Sequence, residues 1–208
     1  MKRIVAMMVV AVILFATAGM AMAEGNEFKL EDFEGFPGYR YDKFEKKWIA
    51  NATYTKKYSD AELVLGMTIT GDKKNVTGPV MLYGWVRDKK NNEGLYQVIE
   101  VNLLIDETVI TFENLAGDKD NWTAPIDSEN GMVFAKKLSN AKSVSLKYKF
   151  KTGSISLDLS KKDFNELKEF SKSLVSINPW QFILDDKGLD MKGYDDIIKA
   201  RWPMEIEE

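Results

Sequence analysis

Apolar and polar residues alternate along much of this chain with a period of two, the pattern of a strand that buries one face. Trp48, Ala50, Ala52 and Tyr54 share one side of residues 47–56; Leu63, Leu65, Met67 and Ile69 share one side of 62–70. Residues 80–87 are apolar on both sides. Residues 95–105 form the longest run, with Leu95, Ile99, Val101, Leu103 and Ile105 on one face and Tyr96, Val98, Glu100, Asn102 and Leu104 on the other. Residues 108–113 follow so closely through Asp106-Glu107 that they read as its hairpin partner. The cleanest alternation comes later. Val144, Leu146, Tyr148 and Phe150 oppose serines and lysines, a turn follows at Lys151-Thr152-Gly153, and Ile155, Leu157 and Leu159 resume the pattern. That is a hairpin with one buried and one wet face.

The period then changes. Phe164, Leu167, Phe170 or Ser171, and Leu174 recur at helical spacing and predict a helix near 161–175. Ser160 stands where a capping hydroxyl belongs, with Asp163 three residues on. A second short helix is predicted at 194–201. Residues 131–135 read as a short strand and 115–130 as the least regular stretch. Seven or more short strands and one late helix predict a mainly β fold. It is an antiparallel β-sandwich or a closed barrel, with a C-terminal β-hairpin followed by an amphipathic helix packed on the sheet.

The N-terminus has Met1-Lys2-Arg3, an apolar run over 4–15 and a small-x-small end at Ala21-Met22-Ala23, the three parts of a secretory signal. The expected division is a signal peptide at 1–23, an arm at 24–38, and one β-rich domain at 39–208 ending in a segment at 180–208. An uncleaved anchor is the alternative, since residues 4–23 could span a bilayer. The arm carries Phe28, Phe33 and Phe36, rings too costly to leave in water, so it should lie on the domain.

Composition removes much of the common catalytic repertoire. The 208-residue chain has no Cys and no His, which excludes disulfides, thiolate and imidazole metal sites, Cys nucleophiles and His-based triads. It also excludes a lipidated N-terminal Cys, so the chain is not a lipoprotein. The net charge is −3; losing Lys2 and Arg3 with the signal leaves 27 basic against 32 acidic side chains. Such a domain has no global attraction for nucleic acid. A Cys-free, Lys- and Asn-rich exported chain suggests a periplasmic or secreted bacterial protein. The sequons at Asn51, Asn75 and Asn121 carry meaning only in a glycosylating host.

Several constellations remain. Ser139-Asn140-Ala141-Lys142 and Lys151-Thr152-Gly153 match short motifs of serine acyl-transfer enzymes, but they lie nine residues apart in a loop and a hairpin turn, and read as coincidence. A carboxylate pair could hydrolyse glycosides without His or Cys; Glu100 is the candidate, with Glu113 or Asp106 as partner. Asp118 and Asp120 are weak candidates for a metal, as is the group Asp185, Asp186 and Asp190. Of the five Trp, Trp122 is expected at least partly exposed among Asp120, Asn121 and Pro125, which makes Trp122, Asp120 and Asn121 candidate ligand contacts. Trp48 and Trp85 are expected in the core, and Trp180 and Trp202 under the C-terminal segment. Lys147, Lys149 and Lys151 read as a solvated face that discourages edge pairing.

These patterns point to an exported, non-enzymatic binding or accessory protein of a bacterial envelope. No cofactor, nucleic acid or further membrane span is expected. Its partner would be a ligand held in a groove or on a sheet face, or another envelope protein. One alternative is a carbohydrate-active protein, either a sugar-binding module or a carboxylate-only glycosidase. A second is an assembly factor that binds by strand addition.

Overall fold

The computed structural model describes residues 28–207 apart from 60, 89–96, 118–120, 163 and 183–190. The signal and anchor readings of 1–23 therefore lie outside the described residues. The fold is mainly β, with two antiparallel sheets and no closed barrel, consistent with a β-sandwich.

The first sheet begins with the hairpin β1 (Arg40–Asp42) and β2 (Lys47–Lys57) and continues through β3 (Ala61–Asp72) and β4 (Val80–Asp88). After the second sheet starts, β7 (Ala116–Gly117) and β8 (Trp122–Ile126) return to give the order β1-β2-β3-β4-β8-β7. The second sheet contains β5 (Val98–Ile105), β6 (Thr108–Glu113), β9 (Val144–Phe150), β10 (Gly153–Leu159) and β11 (Met204–Glu207), in the order β10-β9-β5-β6-β11. Register follows burial. Ala52 opposes Met67, Met67 opposes Leu82 and Leu82 opposes Ala124, so one buried row crosses four strands. The hairpin of β9 and β10 pairs Phe150 with Gly153 and Val144 with Leu159, as its alternation predicts.

Helices cover what the sheets leave open. The short helix α1 (Leu30–Glu34) belongs to the N-terminal arm; α2 is Ser128–Asn140, α3 is Asn165–Ile177 and α4 is Met191–Arg201. Helix α3 packs on α2 and on β2 and β3. Its buried stripe is Leu167, Phe170, Ser171 and Leu174. The arm docks as expected. Phe33 is fully buried and stacks near Phe36, Trp48 and Phe182, with ring centroids 5.7, 4.8 and 6.1 Å away.

Several expectations need correction. Residues 131–135 are not a strand but lie inside α2. Asp127 caps that helix by accepting from the Asn130 amide at 3.0 Å, and Gly131, Phe134, Ala135 and Leu138 form its buried stripe. The stretch 115–130 is regular in part, because it supplies β7 and β8. Helix α3 starts at Asn165, and Phe164 at its N-cap has no side-chain cap; Ser160 contributes its carbonyl, which accepts from the Phe164 amide at 3.2 Å. The other half of the proposed cap, Asp163, lies outside the described residues. In β5 the pairing to β9 shifts between Val98 and Glu100, so Val98 and Val101 both face inward and Ile99 faces out. The longest described strand is β3, of 12 residues. No helix among the described residues is long and apolar enough to cross a membrane.

Candidate functional site

Strand β4 explains why residues 80–87 look apolar on both faces. Val80, Leu82, Gly84 and Val86 point into the core, and Met81, Tyr83, Trp85 and Arg87 stand on the outer face of the six-stranded sheet. Tyr83 and Trp85 are two residues apart on one side of the strand. Their rings lie nearly parallel, 28° apart with centroids 6.4 Å apart. The Arg87 guanidinium sits over the Trp85 ring at 4.9 Å and donates to Asn121 Oδ1 at 3.0 Å.

The partner strand provides the room that lays Tyr83 flat. Gly66 is directly opposite Tyr83 in β3, and a Cβ there would come within 2.3 Å of the ring. The ring therefore crosses β3 and its hydroxyl reaches Thr53 Oγ1 of β2 at 2.8 Å. An open hollow of about 390 Å³ runs beside these rings. Asn51, Thr68, Tyr83, Trp85, Asn121 and Thr123 line it, with Arg40 and Ile49 at one end. A second hollow, of about 430 Å³, shares Arg40 and Ile49 and extends the surface across β1 towards Tyr41 and Lys47. Trp85 Nε1 and Arg87 Nε are buried donors with no acceptor among the described residues.

The candidate residues are placed unequally. Asn121 lies at this hollow. Trp122 also borders it, but the expectation of exposure is overturned: only 3 % of the residue is accessible. Trp122 begins β8 opposite Gly84, and its ring fills the interior space left by that glycine before meeting Tyr148 edge-on at 5.8 Å. Trp85, expected in the core, is half-buried on the outer face instead. Trp48 is core, and its indole donates to the Asp72 carbonyl at 2.7 Å. Trp180 is buried and donates to the Ile126 carbonyl at 3.1 Å, while Trp202 is half-buried under the Arg201 guanidinium. Asp118, Asp120, Asp185, Asp186 and Asp190 lie outside the described residues. Among the described residues no group of three carboxylates could hold a metal ion.

Glu100 lies on the outer face of the other sheet, directly opposite Glu113 in β6. Its Oε2 accepts from Lys149 Nζ at 2.7 Å and its Oε1 from Asn102 Nδ2 at 2.8 Å; Asn102 in turn accepts from Thr111 at 2.8 Å. The Lys149 contact, then the Asn102 amide, hold the Glu100 carboxyl below the usual carboxylate range. Asp106 is elsewhere, at the β5–β6 turn. It accepts from the amides of Ser143 and Lys142 at 2.9 and 3.0 Å and braces the start of β9. Ser139 Oγ donates to the Lys136 carbonyl at 2.9 Å near the end of α2, a local helix contact.

No family model matches the chain, and no curated protein or solved structure matches it either.

Proposed function

We propose that this chain is an exported, non-enzymatic binding protein of a bacterial envelope, and that it holds a carbohydrate against the outer face of the six-stranded sheet. The near-parallel Tyr83 and Trp85 rings beside an open polar hollow carry the reading. A pyranose has an apolar C–H face and a rim of hydroxyls. It gains from lying on an aromatic plane while its rim exchanges hydrogen bonds with short polar side chains. Asn51, Thr68, Asn121 and Thr123 are groups of that kind, and all line the hollow. Asn51, Thr68 and Thr123 sit on paired strands and Asn121 directly precedes one, so little ordering is needed when a ligand arrives. Export is read from the N-terminal pattern of residues 1–23, and the non-enzymatic part from the lack of His and Cys.

The test is a titration of the exported protein with oligosaccharides from bacterial walls and from plant and storage polysaccharides, read by tryptophan fluorescence and calorimetry. Trp85→Ala and Tyr83→Ala should weaken binding about tenfold or more with the fold intact, as removal of a central aromatic contact does. A panel without any binder, or a Trp85→Ala variant that binds as well as the parent, sinks the proposal.

Strand addition keeps one specific support. Three of the four sheet edges are short strands: β1 of 3 residues, β7 of 2 and β11 of 4. The fourth, β10, presents 7 residues with neither Pro nor Lys among them, and no strand pairs with its outer side among the described residues. Crosslinking from a β10 position such as Ser156 in intact envelopes would reveal such a partner.

A further inference from the structure

The most exposed large apolar side chain of the described residues is Phe44, 97 % accessible. It is not on a loose end. The turn between β1 and β2 is closed by the Asp42–Lys47 pair, and Asp42 Oδ1 accepts from the backbone amides of Phe44 at 2.7 Å and Glu45 at 3.1 Å. Lys46 completes it in the left-handed region, with φ 56°. The backbone is thus tied down while the ring stands in water, where it costs free energy and contributes nothing to the core.

Lysines outnumber acids around that ring. Lys43, Lys46 and Lys47 flank it in the chain. The neighbouring turn adds Lys73 and Lys74, because Lys47 is paired with Asp72 at the end of β3. That turn is built the same way, with Asp72 Oδ1 accepting from the amides of Lys74 at 2.7 Å and Asn75 at 3.0 Å. Lys73 also lies over the Tyr41 ring at 5.9 Å. Against five lysines stand Asp42, Glu45 and Asp72, a local excess of two positive charges at the two turns. Glu31 and Glu34 of α1 are near enough to act on Tyr39, on the strand leading into the turn. One end of a chain with net charge −3 therefore concentrates cations around a single projecting aromatic ring.

We infer that this end of the six-stranded sheet docks the protein on an anionic membrane surface, with Phe44 entering the headgroup region and Lys43, Lys46, Lys47, Lys73 and Lys74 facing lipid phosphates. Lysines near an anionic leaflet attract it through its surface potential, and an aromatic ring prefers the interface to water. Two rigid turns side by side carry both parts without any rearrangement. The contact is peripheral, independent of any N-terminal anchor and of the carbohydrate reading.

The chain has no cysteine, so one introduced at Glu45 can carry a single environment-sensitive dye while Phe44 stays in place. The full exported protein labelled at Glu45→Cys is mixed with vesicles of phosphatidylglycerol and phosphatidylcholine, or of phosphatidylcholine alone. The expected result is a blue shift on the anionic vesicles only, with partitioning stronger by about tenfold or more. The shift should be lost in Phe44→Ser, and reduced by Lys43→Glu with Lys46→Glu or by about 0.5 M salt. Melting of Phe44→Ser should match the parent, because the ring touches no core residue. No shift on anionic vesicles, an equal shift on neutral ones, or an unchanged shift in Phe44→Ser overturns the inference. So does a dye that responds to soluble envelope proteins and not to lipid, which would make the occupant a protein pocket.

Discussion

The hydroxyl of Tyr148, on β9 of the five-stranded sheet, donates to the Val64 carbonyl of the six-stranded sheet at 2.8 Å, with both residues buried. It is a polar tie between the two sheets through otherwise apolar packing. Burial, and to a lesser degree Tyr54, push the Tyr148 hydroxyl well above its ordinary value, so it stays protonated in the folded state where it would ionise in the unfolded one. Its contribution is complete below about pH 10, the unfolded value, and is lost as pH rises beyond that. Tyr148→Phe should cost about 1–2 kcal/mol at neutral pH. It should also flatten the alkaline limb of a stability-against-pH curve measured by denaturant titration.

Gly66 controls the aromatic platform from the opposite strand. Gly66→Ala brings a methyl to within 2.3 Å of the Tyr83 ring, so the ring must lift and its bond to Thr53 must break. Overpacking of this kind costs roughly 1–3 kcal/mol. The variant should remain folded, yet bind ligand as weakly as Tyr83→Ala does, although residue 66 is not in the lining of the hollow beside Tyr83 and Trp85. Calorimetry beside a melting curve checks both halves.

Gly131 sets two effects against each other. Alanine in a helix is favoured over glycine by about 0.8–1 kcal/mol. A Cβ at 131 would stand 2.3 Å from the Trp180 ring, which cannot retreat while its indole is held by the Ile126 carbonyl. The steric cost, typically about 1–3 kcal/mol, wins. Gly131→Ala should therefore lower the melting temperature, against its helix propensity.

Glu100 contributes at neutral pH and ceases to do so in acid. Its carboxyl is held low by Lys149 first and Asn102 second, so its contribution is present above the unfolded value of about 4.5 and is lost as pH falls through the folded one. The Lys149 side is open to water, which screens the pair. Glu100→Gln should make the acid limb of stability shallower by lowering stability slightly near pH 7, and leave stability at low pH unchanged. A loss of carbohydrate binding in that variant would move the site to the other sheet.

Trp122 separates a packing role from a contact role. Trp122→Ala empties the space beside Gly84 and Tyr148 and should cost about 3–5 kcal/mol. Trp85→Ala, on the outer face, should cost far less and still weaken binding about tenfold or more. Parallel unfolding and binding curves distinguish the two.

Strands with one wet face could be read directly. The alternation in β2, β3, β9 and β10 predicts both their faces and their bounds within a few residues. The slip in β5 was hidden, because one extra residue between Val98 and Glu100 inverts the face without changing composition. In α2 the spacing of Gly131, Phe134, Ala135 and Leu138 is helical, and Asp127 is a good cap, but an early glycine and the apolar run 131–135 mimic a strand. Trp122 misled through its neighbours. Its polar flanks suggest a loop, whereas Trp122, Ala124 and Ile126 alternate and place it inward. The platform itself was least legible. Tyr83 and Trp85 lie in a segment apolar on both sides, and only the register with β3 reveals that Gly66 makes room for one of them.

The aromatic cluster under the arm links the two ends of the chain. Phe28 and Phe33 pack on Phe182, and the Phe182 carbonyl accepts from the Val76 amide at 3.2 Å. Strand β11, at 204–207, completes the second sheet against β6. A ribosome makes the arm well before Phe182, so Phe33 can meet Phe36 and Trp48 early while the Phe182 side of the cluster closes only when synthesis is almost complete. Such long-range closure is slow compared with the pairing of neighbouring strands such as β2 and β3. A chain built in that order seals its aromatic cluster and its second sheet only as synthesis ends.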